Sequence, residues 1–130
     1  MDIFKEFTFD SAHFLPNVPI GHKCRGMHGH TYRLVVYISG ELDKELGWVM
    51  DFADVKKVID PIINQVDHKL LNEIEGLENP TCEFIAVWLW NSIKPELPAM
   101  TKIELRETPT SGVVAAAGRV TMVRAPWSRA

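Results

Sequence analysis

The chain has 130 residues, a net charge of −3, and 46% hydrophobic against 24% charged residues. That is the profile of one soluble globular domain with a sizeable core. The charge is too acidic for nucleic-acid binding by bulk attraction, and no apolar run approaches the roughly 20 residues of a membrane-spanning helix.

The opening MDIFKEFTFD alternates and carries acids, so it reads as a strand rather than a leader peptide. Over residues 2 to 13, Ile3, Phe7, Phe9, Ser11 and His13 share one face; Phe4, Glu6 and Thr8 take the other. Residues 14 to 29 hold Pro16, Pro19, Gly21, Gly26 and Gly29 and form a long loop, a length that in a small domain points to function. HTYRLVVYISG, residues 30 to 40, is rich in Val, Ile and Tyr and predicts a second strand. A turn over 43–47 leads to a short extended piece at Trp48–Met50.

Asp51 caps a helix over FADVKKVIDPIINQV, with Phe52, Val55, Val58, Ile59, Ile62 and Val66 as its buried stripe. Pro61 is expected to kink or divide it. NPTCEFIAVWLWNSIK predicts a second helix, with Asn79 as cap, Pro80 at the first helical position and Pro95 as the stop. Phe84, Ile85, Trp88 and Leu89 lie at helical spacing within it. Strands over 101–107 and 112 to about 123 complete the order ββααββ with antiparallel hairpins. No repeat or linker interrupts residues 1–120, so one α+β domain is expected there, followed by a mildly basic tail, TMVRAPWSRA, at 121–130.

Chemistry concentrates in CRGMHGH, residues 24 to 30. His28 and His30 are two apart at a strand start, so their imidazoles share a face. Gly29 between them adds no side chain. His13 ends the first strand on its apolar face. In a hairpin of the two strands, the three imidazoles converge at the loop end, the ligand number of an open catalytic metal site. His22, beside Lys23, reads as an exposed basic residue. Cys24 lies between Lys23 and Arg25, a setting that suits a nucleophile or base; as a fourth metal ligand it would instead close the site. The other cysteine, Cys82, precedes an apolar stripe and reads as packing. With no CxxC pair and nothing marking secretion, both are expected as reduced cytosolic thiols. Asp67 and His68 are an adjacent acid–imidazole pair suited to proton transfer. In TKIELRE, Glu107 continues the face of Ile103 and Leu105; a carboxylate there is costly without a partner and matches a flat edge with two N–H donors.

His13, the C-x3-HGH of residues 24–30, GWVMDF, VDH, GLENPTCE and ETPTSG occur in order between residues 3 and 114. Together they resemble the 6-pyruvoyl-tetrahydropterin synthase family. The C-x3-HGH spacing and the Met50–Phe52 step are most similar to its bacterial 6-carboxytetrahydropterin synthases. The resemblance implies the tunnelling fold, a four-stranded antiparallel sheet with two helices on one face, assembled through trimers into barrels and commonly hexamers. It implies zinc held by His13, His28 and His30, Cys24 as the catalytic thiol, and Asp67 with His68 as a proton-transfer group drawn from a neighbouring subunit. It implies Glu107 as the pterin anchor, helped by Thr81. The implied substrate is 7,8-dihydroneopterin triphosphate, cleaved without a redox cofactor, in queuosine biosynthesis in the cytoplasm. Two other readings stand beside it: a synthase that stops at the 6-pyruvoyl product, and a non-catalytic pterin-binding protein with structural zinc.

Overall fold

The computed structural model describes residues 1–119. Its elements run β1 (Asp2–His13), β2 (His28–Ser39), α1 (Phe52–Val66), α2 (Cys82–Ile93), β3 (Met100–Thr108) and β4 (Ser111–Ala116). All neighbouring strands are antiparallel, in the spatial order β1-β2-β3-β4. The alternation read in β1 is real: Phe9, Ser11 and His13 are buried, while Phe4 on the other face is 61% exposed. Tyr32, Leu34, Val36 and Ile38 of β2 and Ile103 and Leu105 of β3 extend that inner face.

Both helices close over this one face. α1 contributes Val55, Ile59, Ile62, Ile63 and Val66, and α2 contributes Ile85, Ala86, Leu89, Trp90 and Ile93 to the same core. Asp51 caps α1 as expected, its carboxylate accepting from Ala53 N–H at 2.9 Å. The expected stripe differs at its ends. Phe52 is half exposed at the first helical position, where no preceding turn covers it, and Ile63 is buried instead. Pro61 does not divide α1. Its missing N–H leaves the carbonyl of Lys57 without its usual donor, but both residues are exposed, so water takes that place.

α2 begins two residues later than expected. Thr81, not Asn79, is the cap: its Oγ1 accepts from Phe84 N–H at 3.1 Å, and Pro80 precedes the cap instead of occupying the first turn. Thr81 N–H donates to the Asn79 carbonyl at 2.9 Å, a tight turn that leaves Pro80 ahead of the helix. Trp48–Met50 is not a strand; it leaves the Asp43–Gly47 turn and bends into the α1 cap. β4 ends at Ala116, and the chain turns over 117–119 with Gly118 at φ +75°. The expected strand residues 120–123 and the 121–130 tail lie outside the described residues. Single 3-10 turns at Lys23–Arg25 and Leu71–Glu73 were not anticipated.

Candidate metal centre and active site

Strand register assembles the histidines. His13 is the direct partner of His28 across the β1–β2 pair, and Ser11 is the partner of His30. Period two then puts all three imidazoles on the inner face at the open end of the hairpin. Their ring centroids lie 4.6 to 5.1 Å apart. Each offers a ligand nitrogen within 4.8 Å of the other two.

Hydrogen bonds fix which nitrogens face inward. His13 Nδ1–H donates to the Pro80 carbonyl at 2.8 Å, and His28 Nδ1–H donates to the Gly26 carbonyl at 2.7 Å. In the neutral form of each ring, that leaves the lone pairs on the two Nε2 atoms. Those atoms face each other at 3.0 Å. Two lone pairs at that distance repel unless a cation lies between or beside them. His30 Nε2 is buried with no hydrogen-bond partner among the described residues. Burial lowers the pKa of His13 and of His30, which keeps them neutral and ready to donate. Orphaned nitrogens, repelling lone pairs and carbonyl-oriented rings together fit a divalent metal ion of the kind that imidazole favours.

Tyr32 lies beneath the trio. It is fully buried and stacks on Phe9 with centroids 4.9 Å apart, and its hydroxyl lies 3.3 Å from His13 Nδ1. Burial pushes its phenol far above the usual range, so it stays protonated. Sequence reasoning missed it, although the signal was present: Tyr32 follows His30 by two and so shares its face. The Pro80 carbonyl was also missed, and a backbone atom leaves no residue-type signal.

Glu107 meets the trio from β3. Its Oε1 lies 3.7 Å from His30 Nε2. Arg106 pairs with Gly112 and Thr108 with Ser111, so Glu107 is the extra residue of a β-bulge. Bulges re-aim a side chain, here toward the histidines. The β2–β3 ladder ends at the Arg33–Arg106 pair. Beyond it the strands part around a cleft of about 420 Å³ lined by His30, Arg33, Arg106, Glu107 and Thr108. Thr81 adjoins Pro80, and its hydroxyl oxygen is engaged as the α2 cap. Cys82 donates its S–H to the Leu105 carbonyl across 3.6 Å, and burial pushes its thiol up to about 12, so it is the packing residue expected.

The acid–imidazole pair forms despite its adjacency. His68 adopts φ +54°, which turns its Nδ1 to within 2.9 Å of Asp67 Oδ2. The hydrogen bond from His68 to Asp67 raises the imidazole pKa. The Asp10 N–H, and then His68, hold the Asp67 carboxyl below its ordinary range. His68 and His30 line one open groove of about 570 Å³, so the pair borders the trio. Cys24 is not drawn into the histidine group; it is half-buried in the 14–27 loop. His22 is not idle there: its Nδ1 accepts from Cys24 N–H at 3.0 Å.

The family profile described as 6-pyruvoyl tetrahydropterin synthase matches residues 2–117. A 6-carboxy-5,6,7,8-tetrahydropterin synthase of Synechocystis is 42% identical over 84% of this chain and 88% of its own. A dihydroneopterin monophosphate aldolase of Pyrococcus furiosus is 39% identical over 75% of this chain and 78% of its own. In three dimensions the chain matches the 6-pyruvoyl tetrahydropterin synthase of Caenorhabditis elegans with a TM-score of 0.83 at 25% identity, covering 89% of this chain and 94% of that one. The sheet with two helices on one face is therefore the tunnelling fold. The chain belongs to the 6-pyruvoyl tetrahydropterin synthase family.

Proposed function

We propose that the protein is a zinc-dependent lyase that converts 7,8-dihydroneopterin triphosphate to 6-carboxy-5,6,7,8-tetrahydropterin, with release of acetaldehyde and triphosphate, in cytoplasmic queuosine biosynthesis. The observation that carries the reading is the 3.0 Å pair of facing lone pairs beside the orphaned His30 nitrogen, opening on the cleft of Glu107. The choice of the carboxy product is supported by similarity to the Synechocystis enzyme and by the Cys24–His28 spacing.

His13, His28 and His30 would hold zinc, which when bound supplies Lewis-acid polarisation of a substrate side-chain hydroxyl. Glu107 accepts two N–H donors from the guanidine-like edge of the pterin, and Thr81 steadies the ring from the start of α2. Cys24 as thiolate removes a proton from a side-chain carbon. The Asp67–His68 pair moves protons on the opposite side; Asp67 favours the imidazolium and orients it. Loss of triphosphate, addition of one water and a retro-aldol cleavage of the side chain then balance the products. A homohexamer, a dimer of trimers, places these groups at subunit interfaces, with Asp67 and His68 reaching a neighbouring Cys24.

The test is incubation of zinc-loaded protein with 7,8-dihydroneopterin triphosphate, with products read by mass spectrometry and acetaldehyde assayed. A 6-carboxy product with acetaldehyde supports the reading. A 6-pyruvoyl product without acetaldehyde assigns the protein to the other synthase activity. Carbon–carbon cleavage with the phosphates retained would match the activity named for the Pyrococcus relative. Binding without turnover would leave a pterin-binding protein.

A further inference from the structure

β1 is an edge strand, so its outward N–H and C=O groups need partners. The segment after α1 supplies them. Asp10 N–H donates to Asp67 Oδ1 at 2.9 Å, and the Asp10 carbonyl accepts from His68 N–H at 2.6 Å. Ala12 N–H donates to the Lys69 carbonyl at 2.9 Å, in a parallel bridge with Leu70. At Phe14 the partner is a side chain. Asn72 Oδ1 accepts from Phe14 N–H at 3.0 Å, and Asn72 Nδ2 donates to the Phe14 carbonyl at 2.8 Å. A further bond runs from Nδ2 to the Glu78 carbonyl at 3.4 Å. A primary amide carries the donor and acceptor of a peptide group, so Asn72 extends the ladder by one rung.

Phe14 is the first residue of the loop that carries Cys24. Leu15 N–H donates to the Cys24 carbonyl at 2.8 Å. Arg25 Nη1 donates to the carbonyls of Pro16 at 3.2 Å and Val18 at 2.8 Å. The loop is thus tied to itself at its base, and the base is fastened to the body through Asn72. We propose that Asn72 is a positioning residue: its amide sets where the Cys24 thiol stands relative to His13, His28 and His30. This rests on the reading of Cys24 as the reacting thiol. Asn72 touches neither thiol nor substrate in this role; it acts through Phe14 and Leu15. Aspartate at this position keeps the acceptor but turns a second acceptor toward the Phe14 carbonyl, which opens the clasp.

The experiment uses the full zinc-loaded chain as Asn72→Asp and Asn72→Ser. The readouts are kcat and KM on 7,8-dihydroneopterin triphosphate, amide exchange at Phe14 and Leu15, and peptide-resolved alkylation of Cys24 by iodoacetamide. Both variants should keep wild-type zinc content. Their kcat should fall about 10- to 100-fold with KM within about threefold, because misplacing a reacting group by about an ångström costs that order. Exchange at Phe14 and Leu15 should quicken about tenfold or more, and the Cys24 alkylation rate should change with it. Faster exchange with kcat held within about twofold would reduce Asn72 to a structural tie and overturn the proposal. Unchanged exchange would overturn it more directly. If wild-type protein does not turn over the substrate, the functional reading fails instead, and exchange and alkylation still decide whether Asn72 places the thiol. Should Asn72→Asp not fold, Asn72→Ser removes the clasp without adding charge and gives the same readouts.

Discussion

Gly112 sets the position of Glu107 from the neighbouring strand. It pairs with Arg106, the residue just before the bulge. A Cβ there would lie 2.3 Å from the Leu105 carbonyl oxygen and 2.8 Å from Arg106 Cα. Both are backbone atoms, so no side chain can swing away. Ordinary contact begins at 3.4 Å, so in Gly112→Ala the β4 backbone must retreat from β3 by about 1.1 Å. Overpacking of this kind costs about 1–3 kcal/mol. At about 4 °C per kcal/mol for a domain of this size, the Tm should fall by about 4–12 °C. The same retreat loosens the bulge that aims Glu107, and an ångström of misplacement costs about 100-fold in kcat/KM. The three histidines sit on β1 and β2, so metal content should stay at the wild-type level. Differential scanning fluorimetry, steady-state kinetics and metal analysis on one preparation suffice. A Gly112→Ala protein with wild-type Tm and kcat/KM would refute the claim that β4 holds the bulge.

Three further outcomes follow from the site. In Asp67→Asn the partner that raises the His68 pKa is gone, so the limb of the kcat–pH profile governed by His68 should move to lower pH; a profile that stays in place would remove the pair from proton transfer. Chelation should lower the Tm by an amount reversed on zinc addition, about 4 kcal/mol of stabilisation when free metal is about a thousandfold above its Kd. His30→Ala should lose that response, and an unaltered response would place the metal elsewhere. Cys24→Ala should keep stoichiometric zinc and lose turnover by at least about 100-fold; undiminished activity would free the thiol of any role.

Much of this was legible because period two is short and rigid. Once residues 2–13 and 30–40 are read as paired strands, His13, His28 and His30 have one place to converge, although β2 in fact begins at His28; Glu107 stands out as a carboxylate on an apolar face. What was not legible lies in contacts that residue type does not encode. Pro80 orients His13 through its carbonyl, so its nature as proline only misled, suggesting a helix start two residues too early. Phe52 fits the helical stripe by spacing and fails by position, since a stripe says nothing about where the covering layer ends. Asp67 and His68 were expected as a pair, but what brings adjacent side chains together was not legible: a left-handed φ at His68, a conformation that non-glycine residues rarely advertise. Asn72 gave no signal in the sequence, because its partners are the backbone groups of Phe14 at the edge of a strand far away in sequence.

The position of the trio explains why it is primed for a metal. The β1–β2 ladder ends at His13–His28 and the β2–β3 ladder at Arg33–Arg106, so the site begins where the sheet stops. Beneath it, Phe9 and Tyr32 form a stacked apolar floor continuous with the core. That floor disfavours charge, which is why His13 and His30 are pushed toward the neutral state by burial rather than by any cationic neighbour outside the trio. A ring whose Nδ1–H is committed to a backbone carbonyl, as in His13 and His28, has only Nε2 left to offer. The same low-dielectric floor strengthens any charge interaction made above it. Core packing, strand register and two carbonyl bonds therefore act together to hold a donor set that is unfavourable in isolation and is relieved when a cation binds. The Cys24 loop is fixed at its base by hydrogen bonds through Phe14 and Leu15. Precision at the histidine trio is a property of the core, whereas the Cys24 loop is held by a few polar ties, and substitutions should separate the two.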